Sequence, residues 1–315
     1  STLFINGPKV KSFQDHLEKY LGVKNVIPCA NGTDALQIAL MSLGLKPGDE
    51  VITADFTFAS TVEVISLLKL TPVLVDVDPK TFNIDIPSIE KAISPKTKAI
   101  IPVHLFGQAA DMQEILDIAE ENKLYVVEDN AQSLGAVYTF ADGKKMKTGT
   151  IAHIGTTSFF PSKNLGAYGD GGAIFTNDDD MAHIIRGMVN HGMYIRYQHD
   201  VVGVNSRLDS LQAAILDIKL KKLDFYNDSR KVAAQKYNER LIDCQKLITP
   251  HRKGDQYTHV YHQYTLKVID GDRDGLVNHL NDKGIPCGVY YPIPLHLQKA
   301  YVSENYKDDD FNITL

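Results

Sequence analysis

Cysteine is scarce in this chain, and its placement argues against two common uses of the residue. The three cysteines, Cys29, Cys244 and Cys287, are odd in number and lie far apart along 315 residues. They have neither the close spacing of a metal-binding cluster nor the density of a disulfide-stabilised secreted domain. We therefore expect reduced thiols in a cytoplasmic protein.

Long apolar runs, a secretion signal and an excess of positive charge are lacking as well. No apolar run reaches the length that spans a bilayer, and residues 1–8 lack the basic-then-apolar order of a secretion signal. The formal net charge of -6 argues against general nucleic-acid binding. With 43% hydrophobic residues, the composition is that of an ordinary globular protein, and we expect neither membrane nor nucleic-acid partners.

Short apolar segments alternate with amphipathic ones through the first two thirds of the chain. Strands are predicted at 25–29, 50–53, 72–76, 99–103 and 124–129, and helices at 34–43, 59–68, 86–92 and 112–121. Continuous aliphatic strands separated by helices are typical of a mainly parallel α/β sheet with both faces covered. In such sheets ligands bind beyond the carboxyl ends of the strands.

A different pattern begins after a long helical region, which is predicted over 209–241 with a break near Asn227. It consists of a strand at 263–268, a helix at 273–283 and a strand at 286–290. We therefore predict a large α/β domain over 1–222 and a smaller α+β domain over 223–315. The last residues end in the middle of a pattern, so we expect the smaller domain to be incomplete.

Lys163 lies between a β-like segment and the glycine-rich run 169–172. A lysine that is partly desolvated at such a place has a lowered pKa and an amine that can attack a carbonyl. The alternative is a solvated loop lysine. The glycine-rich run is not a nucleotide-binding P-loop, because no Lys-Ser/Thr pair follows it.

Other predicted strands also end in residues that suit a ligand. The turn 30–34 lacks the three-glycine dinucleotide pattern, but at a helix N-terminus its backbone N–H groups suit an anion. Thr33 there could bind a phosphate or simply cap the helix. Asp129 closes an apolar strand and needs a partner: a protonated pyridine nitrogen, a metal, an arginine or backbone amides. His104 fits packing or support better than catalysis.

Three segments together are similar to one enzyme family. They are Glu128–Gly135, Ser158–Ala173 and Gly203–Ala214, and the likeness continues in family order through Tyr291–His296. They resemble the nucleotide-sugar aminotransferases of the DegT/DnrJ/EryC1/StrS family. The resemblance implies an α/β fold of the fold-type I class, with a mainly parallel, seven-stranded type of sheet and a smaller C-terminal domain. It also implies pyridoxal 5'-phosphate as cofactor, with pyridoxamine phosphate as its second form.

The resemblance also assigns roles to the cofactor site. Lys163 would hold the cofactor as a Schiff base and shuttle a proton. Asp129 would pair with the pyridine nitrogen and Gln132 with the phenolic oxygen. The remaining contacts would come from Gly32, Thr33 and Ser158 at the phosphate, Phe56 stacked on the ring, and Asn205 of a neighbouring subunit. Because Asn205 would reach a neighbouring subunit, the enzyme would be a homodimer with shared active sites. Phe56 would fit a core position equally well.

The reaction type follows from the lysine itself. A branch of the family has histidine at the position of Lys163 and performs dehydration, so lysine indicates amino transfer. Glutamate would be the donor. The acceptor would be a keto-sugar on a nucleotide, aminated at carbon three: a dTDP-3-keto-6-deoxyhexose or a UDP-linked 3-keto sugar. Amination at carbon four, and a non-catalytic regulatory protein on the same fold, remain alternatives.

Substrate contacts are implied at three positions, namely Arg207, Tyr291 and His296. Arg207 suits a diphosphate or a sugar carboxylate, because a guanidinium binds either group with two N–H donors. Its alternative is an ion pair with Asp209. Tyr290 stands where relatives commonly have histidine, which leaves the sugar contact of its neighbour Tyr291 open.

Overall fold

Helices flank the central sheet on both sides. The computed structural model describes residues 3–255, 257–303, 305–307 and 310–314, so residues 256, 304, 308–309 and 315 of the predicted smaller domain lie outside the described residues. The α-helices are α1 (Pro8–Leu21), α2 (Gly32–Ser42), α3 (Ser60–Leu67), α4 (Ile86–Ala92), α5 (Met112–Asn122), α6 (Asp179–Met188), α7 (Ser210–Leu220), α8 (Leu223–Leu241) and α9 (Arg273–Asp282). Within the described residues, none of these helices combines the length and hydrophobicity that a membrane span requires.

The sheet confirms the predicted, mainly parallel architecture. Its seven strands are β1 (Asn25–Cys29), β2 (Glu50–Ala54), β3 (Thr71–Val75), β4 (Thr97–Ile101), β5 (Tyr125–Asp129), β6 (Ile154–Ser158) and β7 (Gly172–Thr176). Their order is β1-β7-β6-β5-β4-β2-β3. Strands β2 to β6 run parallel to one another, and β7 is antiparallel to both of its neighbours, β1 and β6. Short two-stranded ribbons lie outside this sheet: Val137–Thr139 with Lys145–Lys147, Met193–Ile195 with Gln198–His199, and Leu247–Ile248 with Lys267–Val268.

Both faces of the sheet are buried, which explains its continuous apolar strands. Successive side chains of a strand point to opposite faces. Val51 of β2 accordingly belongs to one core cluster together with helices α2 and α6, and Ile52 belongs to another with α4 and α5. Both side chains are fully buried. A third cluster joins α1 and α7 to β7. The sheet is thereby held rigidly enough to position residues at its edge.

The predicted elements of the first two thirds are confirmed, within about two residues at each end. The predicted helix break is wrong. The observed break lies at Lys221 and Lys222, between α7 and α8, whereas Asn227 lies inside α8. Asn227 is buried, and its side-chain amide donates to the Leu134 carbonyl and accepts from the Asn164 amide. These tertiary hydrogen bonds replace the local ones by which asparagine commonly ends helices.

The strands predicted after the long helices are mostly wrong. Only Lys267–Val268 of the range 263–268 is a strand, and none forms over 286–290, all of which the structure describes. The amides of Val260 and Gln263 instead donate to the carbonyls of Gly107 and Phe106. The residues at 286–290 are largely exposed, and a strand without a partner strand is not stable. The division into domains at residue 222 remains a prediction.

Candidate active site

The carboxyl ends of the parallel strands meet at one edge of the sheet. There β2 is followed by Asp55 and Phe56, β5 ends in Asp129, and β6 ends in Ser158. Helix α2 begins with Gly32, close to the end of β1, at the same edge. Elements far apart in sequence therefore bring most of the predicted cofactor residues together, as the strand-end rule requires.

A close approach between α2 and β6 shapes one side of this edge. A Cβ atom on Gly32 would lie 2.6 Å from Cβ of Ser158, so only glycine allows this packing. The side chain of Asn31 caps the helix by accepting from the amide of Asp34 at 2.8 Å. The helix cap is therefore Asn31 and not Thr33, which lies within the first turn of the helix.

Hydroxyl groups surround the beginning of α2. Oγ1 of Thr33 lies 2.8 Å from Oγ of Ser60, and Oγ of Ser158 accepts from the Phe160 amide at 3.2 Å. An 11-residue helix presents free N–H groups and the positive end of its dipole at this point. Hydroxyls, free amides and the space left by Gly32 together fit a phosphate group.

Asp129 is a buried carboxylate without a cationic partner. The residue is 6% exposed, and its two oxygens accept from Oγ1 of Thr61 at 3.0 Å and from the Ala131 amide at 3.1 Å. Within the described chain, no lysine, arginine or histidine nitrogen forms an ion pair with it, and no metal-binding cluster is present. A buried carboxylate with only neutral donors suits a protonated ring nitrogen, which would complete its pairing.

Lys163 follows the end of β6 on a tight turn, in which its amide donates to the Phe160 carbonyl at 2.8 Å. Burial lowers the pKa of its ammonium group, and the negative charge of Asp129 acts in the opposite direction. The amine is thus closer to its neutral, nucleophilic form than a solvated lysine. The side chain is partly buried, so the alternative of a solvated loop lysine is not what the structure shows.

Gln132 points its amide into the same space. It is 5% exposed, and its Oε1 accepts from the amide of Phe106 at 2.6 Å. Its Nε2 donates to Oη of Tyr291 at 3.1 Å. Burial raises the pKa of Tyr291 to about 12, while this hydrogen bond acts to lower it, so the hydroxyl stays protonated at neutral pH. Gln132 is therefore fixed by its oxygen and offers its nitrogen to the site.

The aromatic side chains after β2 differ in their surroundings. The ring of Phe56 packs against Phe82, Phe106 and Tyr291, with centroids 5.4, 6.3 and 5.7 Å away. Such contacts are those of a core residue. The predicted stacking of Phe56 on the cofactor stays a prediction, and the structure gives it a packing role.

Phe58 is the residue that the sequence analysis missed. Its side chain is 58% exposed, and its ring centroid lies 6.5 Å from that of Tyr291. It stands three residues before Thr61, the residue that donates to Asp129. An exposed aromatic face in the loop that leads to Thr61 suits stacking on a planar ring. The only signal in the sequence was a second phenylalanine in the same loop.

Arg207 is held by two asparagines. Its guanidinium donates to Oδ1 of Asn190 at 3.3 Å and to Oδ1 of Asn205. No ion pair with Asp209 or any other carboxylate forms within the residues that the structure describes. The charge of Arg207 is thus uncompensated, and Asn205 is exposed. Its predicted reach across to a neighbouring subunit stays a prediction.

His296 is built into a buried pair. It is 4% exposed, its amide donates to Oδ1 of Asp55 at 2.8 Å, and its Nδ1 lies 2.7 Å from Oδ2 of the same carboxylate. Burial raises the pKa of Asp55, against the effect of the hydrogen bonds from His296. The pair fastens the segment around His296 to the end of β2. A substrate contact by this histidine stays a prediction.

His104 supports the edge of the sheet, as the sequence indicated. Its Nε2 lies 2.9 Å from Oε2 of Glu128, and its Nδ1 accepts from the Ala110 amide at 3.0 Å. Glu128 also accepts from three backbone amides in the segment 149–152, each at 2.7 Å. Both residues are fully buried and fully hydrogen-bonded, which leaves no group free for catalysis.

Three proteins of known sequence resemble this chain over nearly its whole length. The Geobacillus stearothermophilus protein named pleiotropic regulatory protein is 47% identical, with 98% of this chain and 81% of that protein covered. The UDP-2-acetamido-2-deoxy-3-oxo-D-glucuronate aminotransferase of Pseudomonas aeruginosa is also 47% identical, with 96% and 82% covered. The UDP-N-acetyl-3-dehydro-alpha-D-glucosamine 3-aminotransferase of Acidithiobacillus ferrooxidans is 44% identical, with 96% and 79% covered.

Solved structures confirm the fold and the cofactor. A DegT/DnrJ/EryC1/StrS aminotransferase from Brucella abortus is 41% identical and superposes with a TM-score of 0.91, covering 99% of this chain and 83% of that one. NtdA from Bacillus subtilis, solved with bound pyridoxamine phosphate, is 37% identical with a TM-score of 0.85, covering 94% and 67%. A sequence model of the DegT/DnrJ/EryC1/StrS aminotransferase family matches residues 1–314. The chain therefore belongs to the DegT/DnrJ/EryC1/StrS aminotransferase family, and it is an aminotransferase that depends on pyridoxal phosphate.

Proposed function

We propose that this enzyme moves an amino group from glutamate to carbon three of a nucleotide-linked 3-keto sugar. The observation that carries the proposal is its 47% and 44% identity to two relatives whose names specify 3-oxo or 3-dehydro sugars on UDP. Lys163 at the buried edge of the sheet supports amino transfer rather than dehydration. Glutamate, as donor, rests on the resemblance to the family.

The residues of the site divide the work of the reaction. The N-terminus of α2, Thr33 and Ser158 would bind the cofactor's phosphate, and Gln132 would orient its phenolic oxygen. Asp129 would keep the ring nitrogen protonated, because the buried carboxylate has no cationic partner among the described residues. Bound there, pyridoxal phosphate supplies an electron-poor ring that stabilises negative charge on the reacting carbon.

Proton transfer falls to Lys163. In its neutral form, which burial favours, the amine would take a proton from the amino-bearing carbon of the donor and deliver a proton to the carbon on the other side of the transferred nitrogen. A general base works best when its pKa lies near the working pH. The lowered pKa of this lysine is therefore a requirement of the chemistry and not only a result of burial.

Arg207 supports an anionic acceptor. Its guanidinium faces no carboxylate in the described chain and is oriented by Asn190 and Asn205. A diphosphate, or the carboxylate of a uronic acid, would complete its pairing with two N–H donors. Tyr291, whose hydroxyl already contacts Gln132, stands close enough to the cofactor site to meet the sugar.

A homodimer with shared active sites is part of the proposal. Helix α7 follows Asn205 closely and exposes Leu211 and Ile218, each 70% accessible, and Tyr168 nearby is 76% accessible. Exposed apolar residues of this size on one side of a chain favour burial against a second copy. Asn205 would then contact the phosphate in the partner's site.

A substrate panel tests the acceptor. Purified enzyme is incubated with glutamate and, in separate reactions, UDP-linked 3-keto sugars, a dTDP-3-keto-6-deoxyhexose and a dTDP-4-keto-6-deoxyhexose, and NMR locates the new amine. We expect the amine at carbon three, and Lys163→Ala as control should give none. Product only from the 4-keto sugar, with the amine at carbon four, would show the proposed acceptor to be wrong.

A regulatory role is the second candidate, because the Geobacillus stearothermophilus relative carries the name of a regulatory protein. The two roles separate in a strain that carries Lys163→Ala at the natural locus. If the strain loses both its wild-type phenotype and the aminated sugar, the enzymatic role is supported. An unchanged phenotype, with the variant protein present at its normal level, supports regulation independent of catalysis.

A further inference from the structure

We propose that His262 is a positioning residue that holds the ε-amino group of Lys163 in the orientation needed for proton transfer. This inference rests on the proposed role of Lys163 as the base. His262 belongs to the segment 258–263, which nothing in the sequence analysis connected with the site.

Backbone contacts place His262 beside the predicted cofactor contacts. The amide of Val260 donates to the Gly107 carbonyl at 2.8 Å, and the amide of Gln263 donates to the Phe106 carbonyl at 3.3 Å. A Cβ atom on Gly107 would lie 2.8 Å from the amide nitrogen of His262 and 3.3 Å from the carbonyl oxygen of Gln132. The backbone of His262 is therefore packed against the turn that also holds Gln132.

The same segment is tied to the loop that carries Lys163. The side chain of Asn164, the next residue, donates to the carbonyl of Val260 at 3.2 Å. The guanidinium of Arg230 donates to the carbonyls of Tyr261 and His262, each at 3.0 Å. Arg230 thus fixes the backbone of the histidine, while Asn164 fixes the distance between the segment and the lysine loop.

The chemical state of His262 fits the role. Burial, together with the positive charges of Lys163 and Arg230, lowers its pKa to about 3, so the imidazole is neutral at physiological pH. Its Nδ1 is buried and makes no hydrogen bond with any residue that the structure describes. An unsatisfied buried nitrogen is costly, and a ligand or side chain that donates to it would remove this cost.

An available acceptor meets a need of Lys163. After it takes a proton from the substrate carbon, the lysine is an ammonium group with hydrogen-bond donors in a buried site. Asp129, the nearby carboxylate, already accepts from Thr61 and Ala131, and it would also pair with the ring nitrogen of the bound cofactor. A neutral imidazole can accept from the ammonium without adding charge, and it keeps the amine directed at the reacting carbon.

The test compares His262→Phe, which removes the acceptor, with His262→Asn, which retains one. In cofactor-free protein, the pH dependence of Lys163 labelling by an amine-specific reagent, followed by mass spectrometry, gives the pKa of this amine. We expect His262→Phe to lower that pKa by about one unit and His262→Asn to leave it nearly unchanged. The glutamate half-reaction, followed by cofactor absorbance, should slow at least about 10-fold in His262→Phe with an unchanged KM, and recover in part in His262→Asn.

Controls separate this inference from the general role of the lysine. His279→Phe, an exposed histidine on α9, should behave as wild type, and urea unfolding of each variant reports any loss of stability. If borohydride still fixes the cofactor covalently to the Lys163→Ala protein, the role of Lys163 itself is wrong. If wild type behaves as expected but both His262 variants keep the wild-type pKa and half-reaction rate, only the inference about His262 is overturned.

Discussion

Lys163 and Asp129 are the two ionisable side chains at the centre of the proposed site, and their surroundings differ. Burial shifts the lysine towards its neutral form, in which it can act as a base. The carboxylate is stabilised by two neutral donors, the hydroxyl of Thr61 and the amide of Ala131. These surroundings suit the proposed roles, in which the lysine moves protons and the carboxylate pairs with a cationic ring nitrogen.

Replacing the lysine should abolish catalysis and leave the fold intact. We expect Lys163→Ala to lose the visible absorption of the bound cofactor and to reduce amino transfer by at least about 1,000-fold, because both the covalent attachment and the base are lost. Absorption spectra and rates with glutamate check this. Lys219→Ala, on the outer helix α7, is the matched control. An active Lys163→Ala variant would contradict the assignment.

Removing the charge of Asp129 should have a separate effect. In Asp129→Asn one side-chain oxygen remains that can accept from Thr61 or Ala131. The ring nitrogen, however, would lose its anionic partner. We expect kcat to fall at least about 100-fold, with cofactor still bound, because the ring is a poorer electron sink when its nitrogen is neutral. Steady-state kinetics and cofactor titration measure both quantities. Thr61→Val removes one donor only and should lower kcat far less; equal losses in the two variants would argue for a purely structural role.

Among the elements, the contact of α2 with β6 shows how closely the phosphate site is built. Gly32 opens the helix where any Cβ would meet Ser158, and Asn31 caps it from outside. The geometry of the site therefore depends on the spacing of two elements and on single side chains.

This spacing gives a prediction about Gly32→Ala. The new Cβ would lie 2.6 Å from Cβ of Ser158, so α2 must move away from β6. We expect a loss of about 1–3 kcal/mol in the free energy of unfolding and at least about a 10-fold weaker affinity for the cofactor. Urea unfolding and cofactor titration provide the values. Gly288→Ala, which would meet only the movable ring of Tyr290 at 3.3 Å, is the control.

The segment around His259 makes stability dependent on pH. The residue is 3% exposed, its ring stacks on Tyr261 at 3.9 Å, and its Nδ1 accepts from the Tyr261 amide. Burial lowers its pKa from 6.5 to about 3, partly offset by a hydrogen bond with the backbone of Gly107. Between these values the unfolded chain binds a proton that the folded chain does not, so stability falls as the pH falls.

We therefore expect this histidine to cost about 3 kcal/mol of stability between pH 7.5 and pH 4. Urea unfolding at the two pH values measures the loss. His259→Asn retains an acceptor but no titrating ring, and should lose less stability over the same interval, since other groups titrate equally in both proteins. Equal losses in the variant and the wild type would show that His259 titrates normally in the folded protein.

At the scale of the whole molecule, the proposed sharing of active sites between two chains can be tested by mixing variants. Lys163→Ala and Asn205→Ala should each be nearly inactive alone. Co-expressed, they form mixed dimers in which one site has both native residues, so activity should return to about a quarter of wild type. Sites confined to single chains would gain nothing on mixing. Rates of amino transfer, with size-exclusion chromatography for assembly, distinguish these outcomes.

The sequence by itself determined the alternating α/β order, the cofactor and the chemical type of the site, because these depend on local pattern and on short motifs. The apolar strands could be identified from their immediate neighbours, and the same local evidence was enough to propose Lys163 and Asp129 as site residues. The tertiary structure alone decided which of Phe56 and Phe58 keeps an exposed ring, since both stand in one loop and differ only in what packs on them. It also placed Asn227 inside a helix, paired His296 with Asp55, and brought His262 to the lysine loop. These facts depend on contacts between residues far apart in the chain, where hydrogen bonding and burial override local preference.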